Sequence, residues 1–399
     1  MQFQYIAKNL AGETVKGQIE AEDQKRALYL LREQKLYVLH LKRARIQRSI
    51  TFVRKNVSPK DLSLLCNQLS TMVKAGITIT KALDIISEQT TNKVLKTALI
   101  DIVKELENGS TLTESVKKQY IFPQIFISLV EAGETGGVLD EVLKRLALYF
   151  EGERELKEKV KSAFTYPGFI AGFSLIAMVL MLIFIVPNFV AMFEDLGAGD
   201  KLPKITMMLI NLSEFVSKNI ILLLIVVFAI YTGINFLLKK EQVRLWWDYK
   251  KTQIPLFGNL LKKIAVARFC RTLGVLTKSN TGIVTSLQLV AKAVENTYFG
   301  EEILDALVGI QEGGTLSQEF SRSKFIDPLT HQMLSVGEET GNLDEMLEKI
   351  GVFYEEDVKY STQRIASLIE PIMIVFVALM VGLIVIAMLL PMFDIMQHM

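Results

Sequence analysis

Three long stretches of this chain carry no charged residue: 168–193, 219–238 and 371–393. A helix rises 1.5 Å per residue, so about 20 apolar residues reach across a hydrocarbon core about 30 Å thick. Core helices of water-soluble proteins seldom hold apolar runs of this length, so each stretch reads as a transmembrane helix. Only helices or closed barrels can cross a bilayer with their backbone groups satisfied, which puts the rest of the fold at the service of these spans. Elsewhere the chain is charged, with Lys+Arg 45 against Asp+Glu 43 in 399 residues. The formal net charge of +2 gives no case for nucleic-acid binding. The N-terminal MQFQYIAKNL is polar and lacks the apolar core of a signal peptide.

Basic residues near span ends mark the cytoplasmic side. Arg154, Lys157, Lys159 and Lys161 precede the first span, and Lys239, Lys240, Arg244, Lys250, Lys251, Lys262 and Lys263 follow the second. The 194–218 segment holds only Lys201, Lys204 and Lys218, and no Lys or Arg follows the third span. Two cytoplasmic blocks and three spans result, with the N-terminus inside.

The chain also resembles itself at an offset of 204 residues. Cys66 falls on Cys270, Leu69 on Leu273, Leu83 on Leu287 and Asn92 on Asn296. GSTL at 109–112 meets GGTL at 313–316, and a one-residue slip brings ETGG at 134–137 onto ETGN at 339–342. The original offset then returns: Asp140-Glu141 meets Asp344-Glu345, Pro167 meets Pro371, and Pro187 meets Pro391. The repeated unit is a soluble block plus the span that follows it. The second span has no counterpart and serves as the return crossing, so the duplication is parallel rather than inverted.

Inside each block the apolar residues recur at helical spacing. Leu62, Leu65, Cys66, Leu69, Met72 and Val73 form one stripe, and Gly76 suits the helix end. Segments 80–90, 92–109 and 137–160 read likewise, as do their copies, so each block is a compact helical bundle. The opening residues differ. FQYIAKNLAGETVKGQIEAED alternates around Gly12 and Gly17 like a small hairpin, and DQKRALYLLREQKLYV follows as a helix. Residues 42–60 hold seven basic residues and no acid, which reads as a linker drawn to anionic lipid or as a basic docking arm.

The fold class is therefore mainly α: an integral membrane protein with three transmembrane helices, two duplicated cytoplasmic helical bundles and a small N-terminal α+β appendage. The expected segments are an N-terminal domain with basic linker (1–55), a first bundle (56–167), a span (168–193), a short outer loop (194–218), a second span (219–238), a second bundle (239–370), a third span (371–393) and an outer tail (394–399).

Reaction chemistry finds little support. There is no GxxxxGK[ST] phosphate loop and no GxSxG elbow. Two cysteines exclude a disulfide scaffold and a thiolate zinc site, and His40, His331 and His398 lie too far apart in sequence for a histidine motif. The spans hold no Asp, Glu, Lys, Arg or His, which speaks against a transporter or channel subunit, the alternative reading. No enzyme activity, cofactor or metal is expected.

Five kinds of position remain. Glu134-Thr135-Gly136 and Glu339-Thr340-Gly341 precede helix starts, and they read either as capping turns with Asp140 and Asp344 at the helix ends or as a corner facing a partner in each copy. Tyr166-Pro167 and Glu370-Pro371 stand where bundle becomes membrane, with proline suited to a first helical turn, and form candidate joints. Acidic residues cluster near Glu151 (with Glu153 and Glu155) and Glu355 (with Glu356 and Asp357), as solvated faces or as sites for a metal or a basic partner. Cys66 and Cys270 read as buried, reduced core residues. Small residues Gly168, Ala171, Gly172, Ala378 and Gly382 permit close helix contacts within the chain, between subunits or with a foreign helix.

These features together resemble the F-type inner-membrane platform proteins of type II secretion systems and type IV pili, the GspF/PilC family. The resemblance covers essentially the whole chain. It rests on Phe3, Tyr5 and Ala7 with Gly12, Gly17 and Ala21, on AGETGGVLDEVL then YP, on GEETGNLDEML then EP, and on VPNF and LPMF. Asn280 departs from the pattern, standing where the first copy has Gly76, although Asn also tolerates the left-handed conformation. The resemblance implies a non-enzymatic platform in the bacterial inner membrane. Its implied partners are a hexameric secretion or pilus ATPase for assembly and retraction, the membrane helices of pilin or pseudopilin subunits, and other inner-membrane assembly proteins. A homo-oligomer, dimer or larger, is expected in the lipid bilayer.

Overall fold

The computed structural model describes residues 2–8, 14–20, 37–43, 57–195, 203–238 and 240–398. It divides into a small unit over Met1–Lys55 and a large one over Asn56–Met399.

The small unit holds β1 (Gln2–Lys8), β2 (Thr14–Glu20) and β3 (Tyr37–Arg43). They form an antiparallel sheet in the order β2-β1-β3, with Tyr5 opposite both Gly17 and Leu41 and an irregularity at Ile6/Ala7. The hairpin read from residues 3–23 is present as β1 and β2. The third strand corrects the sequence reading, which runs a helix to Val38 and the basic linker from Lys42; the segment YVLHLKR (Tyr37–Arg43) alternates in the manner of a strand. The rest of the expected helix and linker lies outside the described residues.

The large unit is helical. Its first copy runs α1 (Pro59–Lys74), α2 (Ile79–Gln89), α3 (Lys93–Glu107), α4 (Leu112–Lys117), α5 (Gln124–Gly136) and α6 (Leu139–Leu180). A π-helical turn (Met181–Ile185) and α7 (Val186–Asp195) extend α6. The unrepeated α8 (Lys204–Leu237) and α9 (Glu241–Lys251) follow. The second copy runs α10 (Phe257–Lys278), α11 (Ile283–Ala293), α12 (Thr297–Gln311), α13 (Leu316–Phe320), α14 (Pro328–Thr340) and α15 (Leu343–His398).

The same start signals operate in both copies. Asn92 and Asn296 cap α3 and α12 with their side chains, and Thr111 with Glu114 and Thr315 with Gln318 form capping boxes on α4 and α13. The turn after α1 needs a left-handed residue and has Gly76 at φ +84°; after α10 the same turn is made by Asn280 at φ 54°. The departure at Asn280 therefore leaves the turn intact.

The repeat ladder is also the core. Cys66, Cys270, Leu69, Leu273, Leu83 and Leu287 are all buried. Within each copy the first helix lies along the last, α1 on α6 and α10 on α15. The copies then meet through α6, α10 and α15, and a single hydrophobic core runs through both. At the neck toward the membrane, Leu156, Leu260, Val358 and Ile365 form a second cluster.

Three helices are long and apolar enough to cross a membrane: α6 with its π turn and α7, α8, and α15. Two of the expected boundaries change. Neither Pro167 nor Pro371 starts a helix; each lies inside one, because the bundle helix and the span are the same helix. The expected outer loop 194–218 is helical from Lys204, since no Gly or Pro interrupts 204–218. A kink at Asn219 (φ −117°, ψ 20°) divides that lead-in from the charge-free run. The tail likewise continues α15 to His398.

Candidate functional site

The two Glu-Thr-Gly corners lie at the ends of α5 and α14 and enter the next helix through left-handed Gly137 and Gly341. Glu134 turns inward. Its carboxylate accepts from the backbone N–H groups of Leu112 (2.7 Å) and Thr113 (2.9 Å) and from the Thr113 hydroxyl (2.5 Å). It thereby closes the open N-terminus of α4, where a negative charge is favoured. Burial opposes that charge, but these hydrogen bonds outweigh it and hold the carboxyl below its ordinary value.

In the second copy the same task falls to Glu338, which accepts from the N–H groups of Leu316 and Ser317 (2.9 Å to the latter). Glu338, not Glu339, is thus the structural counterpart of Glu134. The one-residue slip is not present, because the offset of 204 holds through α5 and α14 and their glycine caps. Glu339 is exposed and accepts from the Ser335 hydroxyl (3.1 Å). Thr135, Gly136, Thr340 and Gly341 are exposed as well.

The acidic clusters are not simply solvated. Arg268 and Arg271 of α10 reach them across the junction of the copies. Arg268 Nε lies 3.3 Å from Glu153 Oε2 on α6, with side chains only 7% and 13% exposed, and its Nη1 also pairs with Glu295. Arg271 pairs with Glu355 on α15, and its other Nη donates to the Leu148 carbonyl of α6 (3.4 Å). Its guanidinium packs against Gly152, where a Cβ would overlap it. Arg145 of α6 returns the contact, donating to the Lys278 carbonyl and to Ser279 Oγ (3.0 Å). Glu151 accepts from Ser63 (3.1 Å) and pairs with Arg154 (2.6 Å). Burial pushes the Glu153 and Glu355 carboxyls above their ordinary value against the pull of their arginines. These residues tie α6, α10 and α15 into one body. No group of three or more His, Cys, Asp or Glu side chains among the described residues could hold a metal ion.

Of the membrane joints, Pro167 is buried, whereas Tyr166, Glu370 and Pro371 are exposed. The tighter joint lies farther along the spans, at the second pair of repeated prolines. Val186 N–H bonds back five residues to Met181 O, so the π turn would next pair residue 187 with Leu182 O. Residue 187 is proline and has no N–H to give. The Ser213 hydroxyl of α8 donates to Leu182 O instead. In α15 the carbonyl four residues before Pro391 belongs to Ala387, and the Thr206 hydroxyl of α8 donates to it at 2.6 Å. Thr206 and Ser213 are both buried and sit two turns apart on one face. Around them Leu182, Val186, Leu209, Ile384 and Ala387 close an apolar cluster. The unrepeated helix therefore satisfies the carbonyl that each repeated proline orphans.

Sequence reasoning did not find Glu338, Arg268, Arg271, Thr206 or Ser213. A constant offset would have found Glu338. The hydroxyls were findable by asking which groups could answer Pro187 and Pro391. The arginines carry no signal in one sequence, since nothing there pairs α10 with α6.

Fold and joints define a class: a polytopic membrane protein of two tandem helical modules, each continuous with its own span and clasped by a third membrane helix. Two segments, 65–187 and 269–391, match the family described as type II secretion system protein F, at the same offset of 204 that governs the helices, and residues 1–42 match that family's N-terminal domain. The chain belongs to this family. It is 36% identical to the type IV pilus assembly protein PilC of Thermus thermophilus, covering 98% of each chain. It is 33% identical to the PilC of Myxococcus xanthus (98% of this chain, 94% of that one). It is also 30% identical to the type II secretion system protein F of Pseudomonas aeruginosa (99% and 98%).

Proposed function

We propose that this protein is the non-enzymatic inner-membrane platform of a type IV pilus or type II secretion machine. In this reading it couples a cytoplasmic hexameric ATPase to insertion or extraction of pilin or pseudopilin subunits. Relatives named for pilus assembly and for type II secretion support the role. One structural observation carries the coupling: α6 and α15 each leave the shared core and enter the membrane without a break. The 42 residues of α6 alone extend about 63 Å. A displacement applied to the bundles reaches the spans through helix stiffness rather than being lost in a linker.

The exposed corners supply a surface for the driving partner. Thr135-Gly136 and Glu339-Thr340-Gly341 present the same turn twice, and the second adjoins an open polar cleft of about 600 Å³ lined by Thr315, Gln318, His331, Ser335 and Glu339. Glu134 belongs to the fold instead. The basic span flanks favour a cytoplasmic N-terminus and cytoplasmic bundles. The small residues of the spans leave room for pilin helices or a second copy.

Deletion of the gene should abolish surface fibres or secretion while pilin or pseudopilin stays in the membrane. Restoring the chain with Thr135→Arg and Glu339→Arg should give normal protein levels, weaker capture of the ATPase and few fibres. Normal fibres and normal secretion in the deletion strain would end the proposal.

A further inference from the structure

The segment after the second span has no place in the repeat, and its chemistry points to a ligand. α9 begins just after the charge-free run of α8, with only Leu238, Lys239 and Lys240 between them. At no more than about 3.5 Å per residue this spacer keeps the start of α9 within or beside the headgroup layer.

One face of α9 is fixed to the second bundle. The Asp248 side chain is 7% exposed, accepts from the Thr297 N–H at the start of α12 (2.9 Å), and pairs with Lys251 (3.1 Å). Burial works against its charge, yet the Thr297 contacts and Lys251 outweigh it and keep the carboxyl below its ordinary value. Helical geometry then turns Val243, Trp246, Trp247 and Lys250 to the other side. Trp246 is 58% exposed and Trp247 38%, and Ile254, Leu256 and Phe257 continue the apolar surface beyond the helix. Lys251 Nζ stands 5.6 Å from the Trp247 ring centroid. Lys240 and Lys250 flank the aromatic pair, whereas Arg244 stands on the bundle side with its Nε 3.9 Å from Asp248 Oδ2, and Glu241 is the one acid of α9 outside the bundle contact.

From this arrangement we propose that α9 is an interfacial helix that binds the anionic lipid surface, with Trp246 and Trp247 seated among the headgroups and Lys240 and Lys250 paired with lipid phosphates. Tryptophan with lysine or arginine at the end of a span is the composition that this layer selects. Basic residues beside an anionic leaflet add attraction that reaches only about a Debye length, so the helix must lie at the surface to profit from it. The bundle is then held to the bilayer at a point independent of α6 and α15. This inference does not depend on the pilus or secretion reading.

The chain provides its own probe, because Trp246 and Trp247 are its 2 tryptophans. The full protein is reconstituted in vesicles of phosphatidylcholine containing either brominated phosphatidylcholine or brominated phosphatidylglycerol, and tryptophan emission is read. We expect quenching by the lipid bromines, protection from aqueous iodide, and stronger quenching when the bromine is on the anionic lipid. Lys240→Gln and Lys250→Gln should each lower that anionic preference about fivefold, with an unchanged thermal unfolding midpoint. Tryptophans open to iodide and untouched by bromolipid would overturn the inference and leave the face to a protein partner. Equal quenching by the two lipids would overturn it too, as apolar insertion without recognition of charge.

Discussion

Arg271 is the residue on which the junction turns, and Gly152 is shaped to receive it. A methyl at Gly152 would displace the guanidinium from α6 and pull it from Glu355. Removing the arginine strands Glu355 in a site where burial already pushes its carboxyl up. Arg271→Ala should therefore cost about 2–3 kcal/mol, because an unpaired buried charge is more costly than a missing pair. Arg271→Ala with Glu355→Gln should recover more than half of that, read as denaturant midpoints in a double-mutant cycle. Glu134 offers a pH test. Its folded carboxyl titrates below its ordinary value of 4.5, so its contribution is complete above that value and is lost as pH falls through the depressed one. Glu134→Gln should lower stability near neutral pH by about 1–2 kcal/mol. The acid limb of its unfolding curve should also be shallower than that of the parent. An unchanged acid limb would show that Glu134 does not cap α4 with its charge.

Among the spans, α8 is the one the duplication does not explain, and its buried hydroxyls give it a task. Proline in a span frees a carbonyl that lipid cannot satisfy, and Thr206 and Ser213 answer one such carbonyl in each copy. Thr206→Val and Ser213→Ala should each destabilise the protein by about 0.6–1.7 kcal/mol, the range of interhelical hydrogen bonds in membranes, as measured by unfolding in mixed micelles. Pro391→Ala restores an N–H to Ala387 O, so in that background Thr206→Val should cost little. The spans, the bundles and the repeat were legible in the sequence, because charge depletion, helical spacing and a constant offset are properties of one chain read linearly. The boundaries of α8 were not. Charge located the run from 219, while helix formation, which Lys204, Glu214 and Lys218 do not oppose, set the start at Lys204. The π turn and the arginine pairings were equally hidden, since each depends on which helix stands opposite.

The shared core fixes a property that neither copy has alone. Leu143 and Val130 of the first copy and Leu273 and Leu347 of the second belong to one continuous cluster, joined by the Arg271 and Arg145 contacts. Apolar side chains packed together cannot be divided by a bilayer, so both bundles must lie on the same face of the membrane, and α8 must bring the chain back to it. In the proposed reading that face is the cytoplasmic one, which the basic flanks favour. The two native cysteines are buried, and burial pushes both thiols far up, so they stay silent toward a thiol reagent. Cysteines placed at the exposed Thr135 and Glu339 should then report topology without interference. In sealed spheroplasts a membrane-impermeant maleimide should label neither Thr135→Cys nor Glu339→Cys, and in inverted vesicles it should label both. Labelling of one in each preparation would separate the bundles across the bilayer, and no common core could survive that result.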